Sequence, residues 1–348
     1  MIRRRQFLGV AAGALATPWL IRGAAAQSAE HTFKLHHFLG PKSPSQTQML
    51  EPWVKRVEDA AGGKVKIEIY PSMSLGGAPP QLFRQAADGV VDIAWTVNGY
   101  TPGLFPRSEV FELPTIFTND IAATNLAMKK LFDEYLAPEY EAVKVLFLHV
   151  HGGQAIQMAK IPVRRVANLH GKKLRVPGPT GNAVVEALGA IPVTMPVPDL
   201  PQALSTSAVD GALIPWEIIP PLKIQELTQH QIEGPDHERF GTTTFQISMN
   251  QGVWESLPDD LKEVVDKNSG EEFAREVGQV WRDSEDGGIA VALKDGNELI
   301  TLTEEEMQAF RTAMEPVVKR WVDEVTAKGI DGQGLVDAAR AAIAKHKA

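Results

Sequence analysis

The 348-residue chain contains no cysteine. That excludes disulfides, thiol catalysis, cysteine-ligated zinc and a lipidated N-terminal cysteine. Long apolar runs are missing too. Past the first 26 residues no stretch is apolar enough to cross a bilayer, which takes about 20 residues. No low-complexity tract or short repeat is visible. There is no G-x-S-x-G, no Walker phosphate loop, no G-x-G-x-x-G and no H-E-x-x-H, so the common hydrolase, nucleotide and zinc-protease signatures are absent. Basic charge is in deficit: 35 Lys and Arg stand against 43 Asp and Glu, a net charge of −8. Residues 1–26 hold four Arg and no acid, so the remainder carries −12. Such a surface argues against nucleic acid and anionic membranes as partners.

The segment that holds those arginines is the first positive feature. Arg3-Arg4-Arg5-Gln6-Phe7-Leu8 contains a twin-arginine pair followed by x-Phe-Leu. A weakly apolar stretch, Val10 to Ile21, follows, and Ala24-x-Ala26 supplies a small-residue cleavage site. Residues 1–26 therefore read as a twin-arginine (Tat) export signal, with the mature chain beginning near Gln27 and working in the periplasm. Carriage by that route suggests folding before export. The mature chain of about 320 residues is long for one core and suits two lobes.

Periodicity gives the order of elements. Thr32–Leu39 reads as a strand, Gln46–Ala61 as a helix with Met49, Leu50, Trp53, Val54 and Val57 on one face, and Lys64–Tyr70 as an alternating strand. Pro79–Asp88 is a helix, Val90–Thr96 a strand, and Asn119 or Asp120 caps a helix through Tyr135. After the strand Val143–His149 the rhythm restarts. Strands at Lys173–Val176, Val193–Pro196 and Gly211–Ile214 alternate with helices at Asn182–Leu188 and Leu200–Ser205. Phe245–Met249 is a further strand. The helix after Pro258 is expected to run unbroken past Trp281 and to pass between lobes, and Thr303 with Glu306 caps a helix over Glu304–Lys328. Alternation of this kind means an α/β sheet, here twice. Ligands of such sheets bind in the crevice at strand C-termini, and two lobes can close on them.

Few residues carry obvious chemistry. His149-Val-His151 puts two imidazoles on one strand face, but no carboxylate pattern completes a metal site. His36 and His37 alternate faces and cannot act together. Asp259-Asp260 and Glu304-Glu305-Glu306 are solvated helix caps. Arg175, in the strand that ends at Pro177, stands apart. Leu174 and Val176 face one way and Arg175 the other, beside the crevice, where a guanidinium fork matches a carboxylate.

Several phrases in one order then give a resemblance. They are Tyr70-Pro71-Ser72-x-x-Leu75-Gly76-Gly77, Asp88-Gly89-x-x-Asp92, Phe105-Pro106, Val110-Phe111-Glu112-Leu113-Pro114, Asn168-Leu169-x-Gly171-x-Lys173-Leu174-Arg175-Val176-Pro177, Leu188-Gly189-Ala190-x-Pro192-Val193 and Ala208-Val209-Asp210-Gly211. The chain resembles the DctP-like solute-binding subunits of tripartite ATP-independent periplasmic (TRAP) transporters over nearly its whole mature length. The resemblance implies a two-lobed periplasmic binding protein fold of the α/β class, with hinge-crossing segments and a long lobe-spanning helix. It implies lobe I over 31–152 plus 240–280, and lobe II with the C-terminal helices over 153–239 plus 281–348. It implies a binding protein rather than an enzyme, partnered by TRAP permease subunits, with no nucleic acid, monomeric or else dimeric. Arg175 takes the place of the family's ligand-carboxylate clamp.

Departures from the sialic-acid-binding members are informative. Val97 and Tyr100 stand where those members place Glu and Arg, Gln154 aligns with a second ligand-contacting Arg, Phe38 with an Asn, and Ala212-Leu213-Ile214 replaces the Gln-Glu-Asn that follows their Asp-Gly, whose Asn contacts ligand. An apolar pocket cannot pair many hydroxyls, so a monocarboxylate with an apolar, aromatic or 2-oxo body is expected. The candidate ligand-binding set is Arg175 with Gln154, Phe38, Trp95, Val97, Asn98, Tyr100, Val197, Ile214, Trp216 and Glu217. Some 2-oxoacid binders of the family hold a metal beside the ligand. By that likeness Gln154, the Trp216 carbonyl and Glu217 form a candidate oxygen site for Na⁺ or Ca²⁺, the alternative being Glu217 paired with Arg175 or another base. A C4-dicarboxylate or other polar acid is the second ligand class, with Asn98, His151 or Lys173 supplying its further polar contact. A periplasmic enzyme and a receptor without a transporter are the remaining alternatives.

Overall fold

The computed structural model describes residues 29–347. The export segment assigned to 1–26 lies outside the described residues.

In chain order the first elements are β1 (His31–His37), α1 (Glu51–Ala60), β2 (Val65–Tyr70), α2 (Leu82–Ala87), β3 (Ile93–Val97), α3 (Ile121–Leu131) and β4 (Val143–Val150). Next come β5 (Ala155–Met158), β6 (Lys173–Val176), α4 (Pro179–Ala187), β7 (Ile191–Thr194), α5 (Leu200–Ser205), β8 (Gly211–Ile214), α6 (Ile219–Leu222) and β9 (His230–Glu233). The last are β10 (Thr244–Asn250), α7 (Gln251–Ser256), α8 (Asp259–Asn268), α9 (Glu271–Lys294), β11 (Glu298–Thr301), α10 (Glu304–Thr326) and α11 (Gly332–His346).

Two sheets result, in the orders β2-β1-β3-β10-β4 and β11-β9-β5-β8-β6-β7. In the first, β2 is an edge strand and alternates: Val65 and Ile67 are buried, Lys66 and Glu68 exposed. Central β3 is buried along its whole length, as a strand covered on both faces must be. Local chemistry sets the helix starts. Asp120 caps α3 by accepting the Ala123 N–H at 2.8 Å, Pro179 begins α4 where no amide is needed, and Thr303 and Glu306 form the expected reciprocal cap of α10.

The chain crosses between the sheets at residues 151–154, again at 234–243, and along α9, which packs on α3 of the first lobe and on the 216–218 turn of the second. The expected unbroken helix after Pro258 is in fact two. α8 stops at Asn268 because Gly270 is extended and Ser269 Oγ accepts the Trp53 indole N–H at 3.1 Å. The break lets α8 lie on α1 while α9 turns onto α3. The C-terminal helices touch each other but anchor on different lobes. α10 packs on α4 of the second lobe, but α11 returns to α3 of the first, burying Leu335, Val336, Ala339 and Ile343.

Candidate functional site

The C-terminal ends of β3 and β6 face each other across the lobes. Arg175 on β6 is buried, as are Val97 and Tyr100 at the end of β3. Arg175 Nε donates to Met195 O at 2.9 Å and Nη1 reaches Leu213 O at 3.5 Å, which fixes the plane of the guanidinium. Nη2 has no protein partner. Burial works against the Arg175 charge, and Tyr100 and Asp199 offset part of that penalty. Tyr100 Oη accepts the Val197 N–H at 2.9 Å, a bond from one lobe to the other. Burial raises the Tyr100 hydroxyl above its usual range, with Arg175 opposing.

The lobes are closed here. Gly99 and Gly178, the residues just past the two strand ends, touch. A Cβ on Gly178 would stand 2.8 Å from Gly99 Cα and 2.9 Å from Gly99 O. Between the lobes lies a cavity lined by residues of both. Phe38, Leu39, Pro44, Trp95, Val97, Tyr100, Pro177, Val197, Ile218, Phe245 and Trp281 form its apolar wall. Arg175, His151, Gln154, Glu217, Ser45 and Thr243 supply polar groups.

The wall is ordered by ring stacking. Phe38 lies parallel to Trp95 with centroids 5.0 Å apart, Trp95 parallel to Phe245 at 5.2 Å, and Tyr100 edge-on to Phe38 at 5.4 Å. His149 extends the stack behind Phe245 at 4.9 Å and accepts the Trp95 indole N–H at 2.9 Å. Burial pushes the His149 imidazole down to about 3, so it is a neutral acceptor. His151 reaches the cavity as a neutral group, held well below its usual range by burial and then by His149 and the two nearby arginines. His36 and His37 are spent on Gln85 and Gln46.

Several expected contacts lie elsewhere. Asn98 turns inward, donating to Tyr140 Oη at 2.8 Å and accepting from Gln246 Nε2 at 2.7 Å. Ile214 is buried in β8, and the next residue, Pro215, lines the cavity in its stead. The Trp216 indole turns away to Glu233 at 3.0 Å. Lys173 is exposed at the start of its strand. So neither Asn98 nor Lys173 can provide a second polar anchor for a dicarboxylate, and the neutral His151 provides no second cation.

Glu217 lines the cavity without an ion pair to Arg175. Burial raises its carboxyl well above the usual range, Glu285 adds to the rise and Arg239 opposes it. Arg239 is itself committed to Glu233 and Glu285. The expected metal shell is not assembled. The Trp216 carbonyl accepts the Ile219 N–H and packs against Gly288 of α9, where a Cβ would come within 2.0 Å. Only Gln154 Oε1 and Glu217 Oε2 remain unpartnered, whereas Ca²⁺ takes about 6–8 oxygens. No cluster of three His, Asp or Glu suited to a metal occurs among the described residues.

Phe245, Thr243 and Trp281 were not among the expected lining residues. Phe245 was within reach of sequence reasoning, since its strand is legible, but its place depends on the antiparallel pairing that sets it opposite Val97.

Two α/β lobes shut over a buried cavity with a single guanidinium define a solute-binding protein of the hinged type. Residues 35–324 match the bacterial extracellular solute-binding protein family 7, DctP, and the chain belongs to that family. It is the extracytoplasmic solute-binding component of a TRAP transporter, working with membrane permease components, and not an enzyme. A TRAP solute-binding protein from Rhodoferax ferrireducens T118, in complex with copurified benzoate, is 39% identical with a TM-score of 0.88, covering 90% of this chain and 98% of that one. A marine-metagenome TRAP solute-binding protein from an unidentified microbe, described as specific for aromatic acid ligands and crystallised with 3-hydroxybenzoate, is 37% identical with a TM-score of 0.89, covering 92% and 100%. The C4-dicarboxylate-binding periplasmic protein DctP of Rhodobacter capsulatus is 25% identical over 94% of this chain and 96% of its own length.

Proposed function

We propose that this protein captures an aromatic monocarboxylate of benzoate size and delivers it to its permease. One observation carries the reading: buried Arg175, whose Nη2 has no hydrogen-bond partner, lines a cavity walled by stacked Phe38, Trp95 and Phe245. A carboxylate taken from water needs its oxygens paired, and a guanidinium donates in the fork geometry that suits it. The body of the ligand then meets flat rings, where an aromatic partner gains roughly 0.5–1.5 kcal/mol beyond area burial. Among the described residues that line the cavity, Arg175 is the only cation. A second carboxylate would meet Glu217 and Gln154 instead of a base, which disfavours C4-dicarboxylates. A sugar acid would bring more hydroxyls than this wall can pair. The aromatic acids bound by the two neighbours near 40% identity support the same class.

Native mass spectrometry of the purified protein, followed by calorimetry with benzoate, hydroxybenzoates, succinate and glucuronate, tests this. The aromatic acids should bind and the other two should not. Strong succinate or glucuronate binding without aromatic binding would refute it.

A further inference from the structure

One donor on the cavity wall is not accounted for by the Arg175 clamp. His151 is buried, lines the cavity and stands edge-on to Phe245 of the aromatic wall, with ring centroids 5.7 Å apart. Its Nδ1 accepts the Gly153 N–H at 2.9 Å. A backbone N–H can only donate, so Nδ1 must be the bare nitrogen. A proton there would set donor against donor. The ring is therefore neutral and carries its single proton on Nε2. Nε2 has no hydrogen-bond partner among the described residues, yet it is not one of the sealed unpartnered atoms, so it keeps an accessible surface, and the cavity is the space this residue lines. Thr242 Oγ1 donates to His151 O at 3.1 Å, so backbone and ring are both held and the Nε2–H direction is fixed from the first lobe crossing.

We propose that His151 Nε2–H is a second donor to the ligand carboxylate, completing the pairing that Arg175 begins. This rests on the aromatic monocarboxylate reading above and names a further binding residue of that site. Arg175 alone does not suffice. Its Nε is spent on Met195 O and its Nη1 leans on Leu213 O, which leaves Nη2 as the unengaged nitrogen. A carboxylate presents two oxygens with about four lone-pair sites, and leaving one oxygen bare in a closed cavity is costly. Of the other polar groups on the wall, Glu217 brings a carboxyl, Gln154 Nε2 and the Thr243 hydroxyl engage each other at 2.7 Å, and Ser45 Oγ engages Ser43 Oγ at 2.8 Å. A neutral imidazole N–H pairs an oxygen without adding a second positive charge, so one cation still meets one anion. That balance suits a monocarboxylate. A protonated imidazole would suit a dianion instead, and the Gly153 N–H opposes that state.

Calorimetry with benzoate and 3-hydroxybenzoate, together with NMR of the mature protein labelled with nitrogen-15 histidine, tests the assignment. His151→Phe keeps a flat ring and removes the donor, and should bind either acid roughly tenfold or more weaker than the wild type. His151→Gln restores an amide N–H at about the reach of Nε2 and should bind within about threefold of the wild type. In the wild type near neutral pH, His151 should show a bare Nδ1 and a protonated Nε2 whose N–H resonance moves when benzoate is added. Wild-type affinity in His151→Phe would overturn the proposal and leave the aromatic-acid reading standing, since the wild type still binds. A proton on Nδ1, or an Nε2–H resonance indifferent to ligand, would overturn it likewise, and this arm decides should a variant not fold. Failure of the wild type to bind any aromatic acid would overturn the aromatic-acid reading and this proposal with it.

Discussion

Gly178→Ala should weaken ligand binding by holding the lobes apart while leaving each lobe intact. The Gly178 backbone is extended, with φ −176° and ψ −166°, so alanine brings no dihedral strain. Its Cβ would stand 2.8 Å from Gly99 Cα and 3.1 Å from Gly99 C. Carbon atoms in contact sit about 3.5–4.0 Å apart, so the lobes must part there by about 0.7–1.2 Å. Neither partner can bend aside, because both are backbone. The nearby Val197 N–H to Tyr100 Oη bond, 2.9 Å in the closed form, would stretch to about 3.6 Å or more and cease to be one. Losing that bond costs about 0.5–1.5 kcal/mol and overpacking a closed interface about 1–3 kcal/mol. The sum, about 1.5–4.5 kcal/mol, weakens binding roughly 10- to 2,000-fold. The reverse substitution, Gly99→Ala, should do less, since its Cβ would lie 3.3 Å from Gly178 Cα. Isothermal calorimetry gives the affinities. Melting without ligand should move by under about 2 °C, because the open form has room for the methyl group. Wild-type affinity in Gly178→Ala, or greater harm from Gly99→Ala, would refute this account of closure.

Arg175→Ala should lose about 2–5 kcal/mol of acid binding while melting without ligand is preserved, and Arg175→Lys should recover little of it, because an ammonium cannot reproduce the planar fork. Thermal-shift titration checks both; a lysine variant that binds like the wild type would contradict the fork geometry. His149 gives a pH signature. Its folded value near 3 lies below the usual 6.5, so the stability it contributes is fully present above pH 6.5 and is lost as pH falls towards 3. The stability difference between wild type and His149→Gln should therefore shift against the wild type by about 1.4 kcal/mol per pH unit between about pH 6 and 4 in urea unfolding. A pH-independent difference would mean that His149 titrates normally in the fold.

How much of this was legible in the sequence depended on whether a residue's place was set locally. β6, α5 and β8 match the periodicity to the residue, because Lys173–Val176 and Gly211–Ile214 are short apolar strands bounded by Gly, Pro and Asp. Arg175 was legible for the same reason: it alone breaks an apolar strand that stops at a proline. β5 and β9 were not legible, since each places a fully buried glutamine, Gln157 or Gln231, where an apolar residue would mark a strand. α11 escaped because its inner face is partly built of alanine, and β11 because four residues give too little pattern. The cavity itself was half legible. Phe38, Trp95, Val97 and Tyr100 come from strand ends adjacent in sequence terms, whereas Phe245 and Trp281 arrive only because β10 inserts antiparallel between β3 and β4 and α9 crosses both lobes. Asn98 and the Trp216 indole turn away from the cavity because neighbouring residues at a strand end point in different directions, and composition does not say which enters the crevice.

Unpaired polar atoms on the cavity wall make closure depend on a ligand. Shutting the lobes without a ligand strands Arg175 Nη2, Gln154 Oε1 and Glu217 Oε2 away from water, and each unpaired buried polar group costs about 1–3 kcal/mol. Contacts that favour closure on their own include the Gly99–Gly178 backbone contact, the Val197 to Tyr100 hydrogen bond and the Trp321 indole N–H donated to Pro106 O at 3.2 Å. A ligand that pairs the stranded atoms removes the penalty and leaves the favourable contacts, so the balance tips towards the closed form only when the cavity holds an acid of matching chemistry. A ligand can shift such an equilibrium by no more than its differential affinity for the two states. On the proposed reading that differential resides chiefly in the guanidinium on β6, and the unpaired Gln154 amide and Glu217 carboxyl also lie on or next to the second sheet. The first lobe supplies the aromatic wall. On that reading, pairing of the carboxylate can precede closure, with Phe38, Trp95 and Tyr100 arriving on the ligand as the lobes meet.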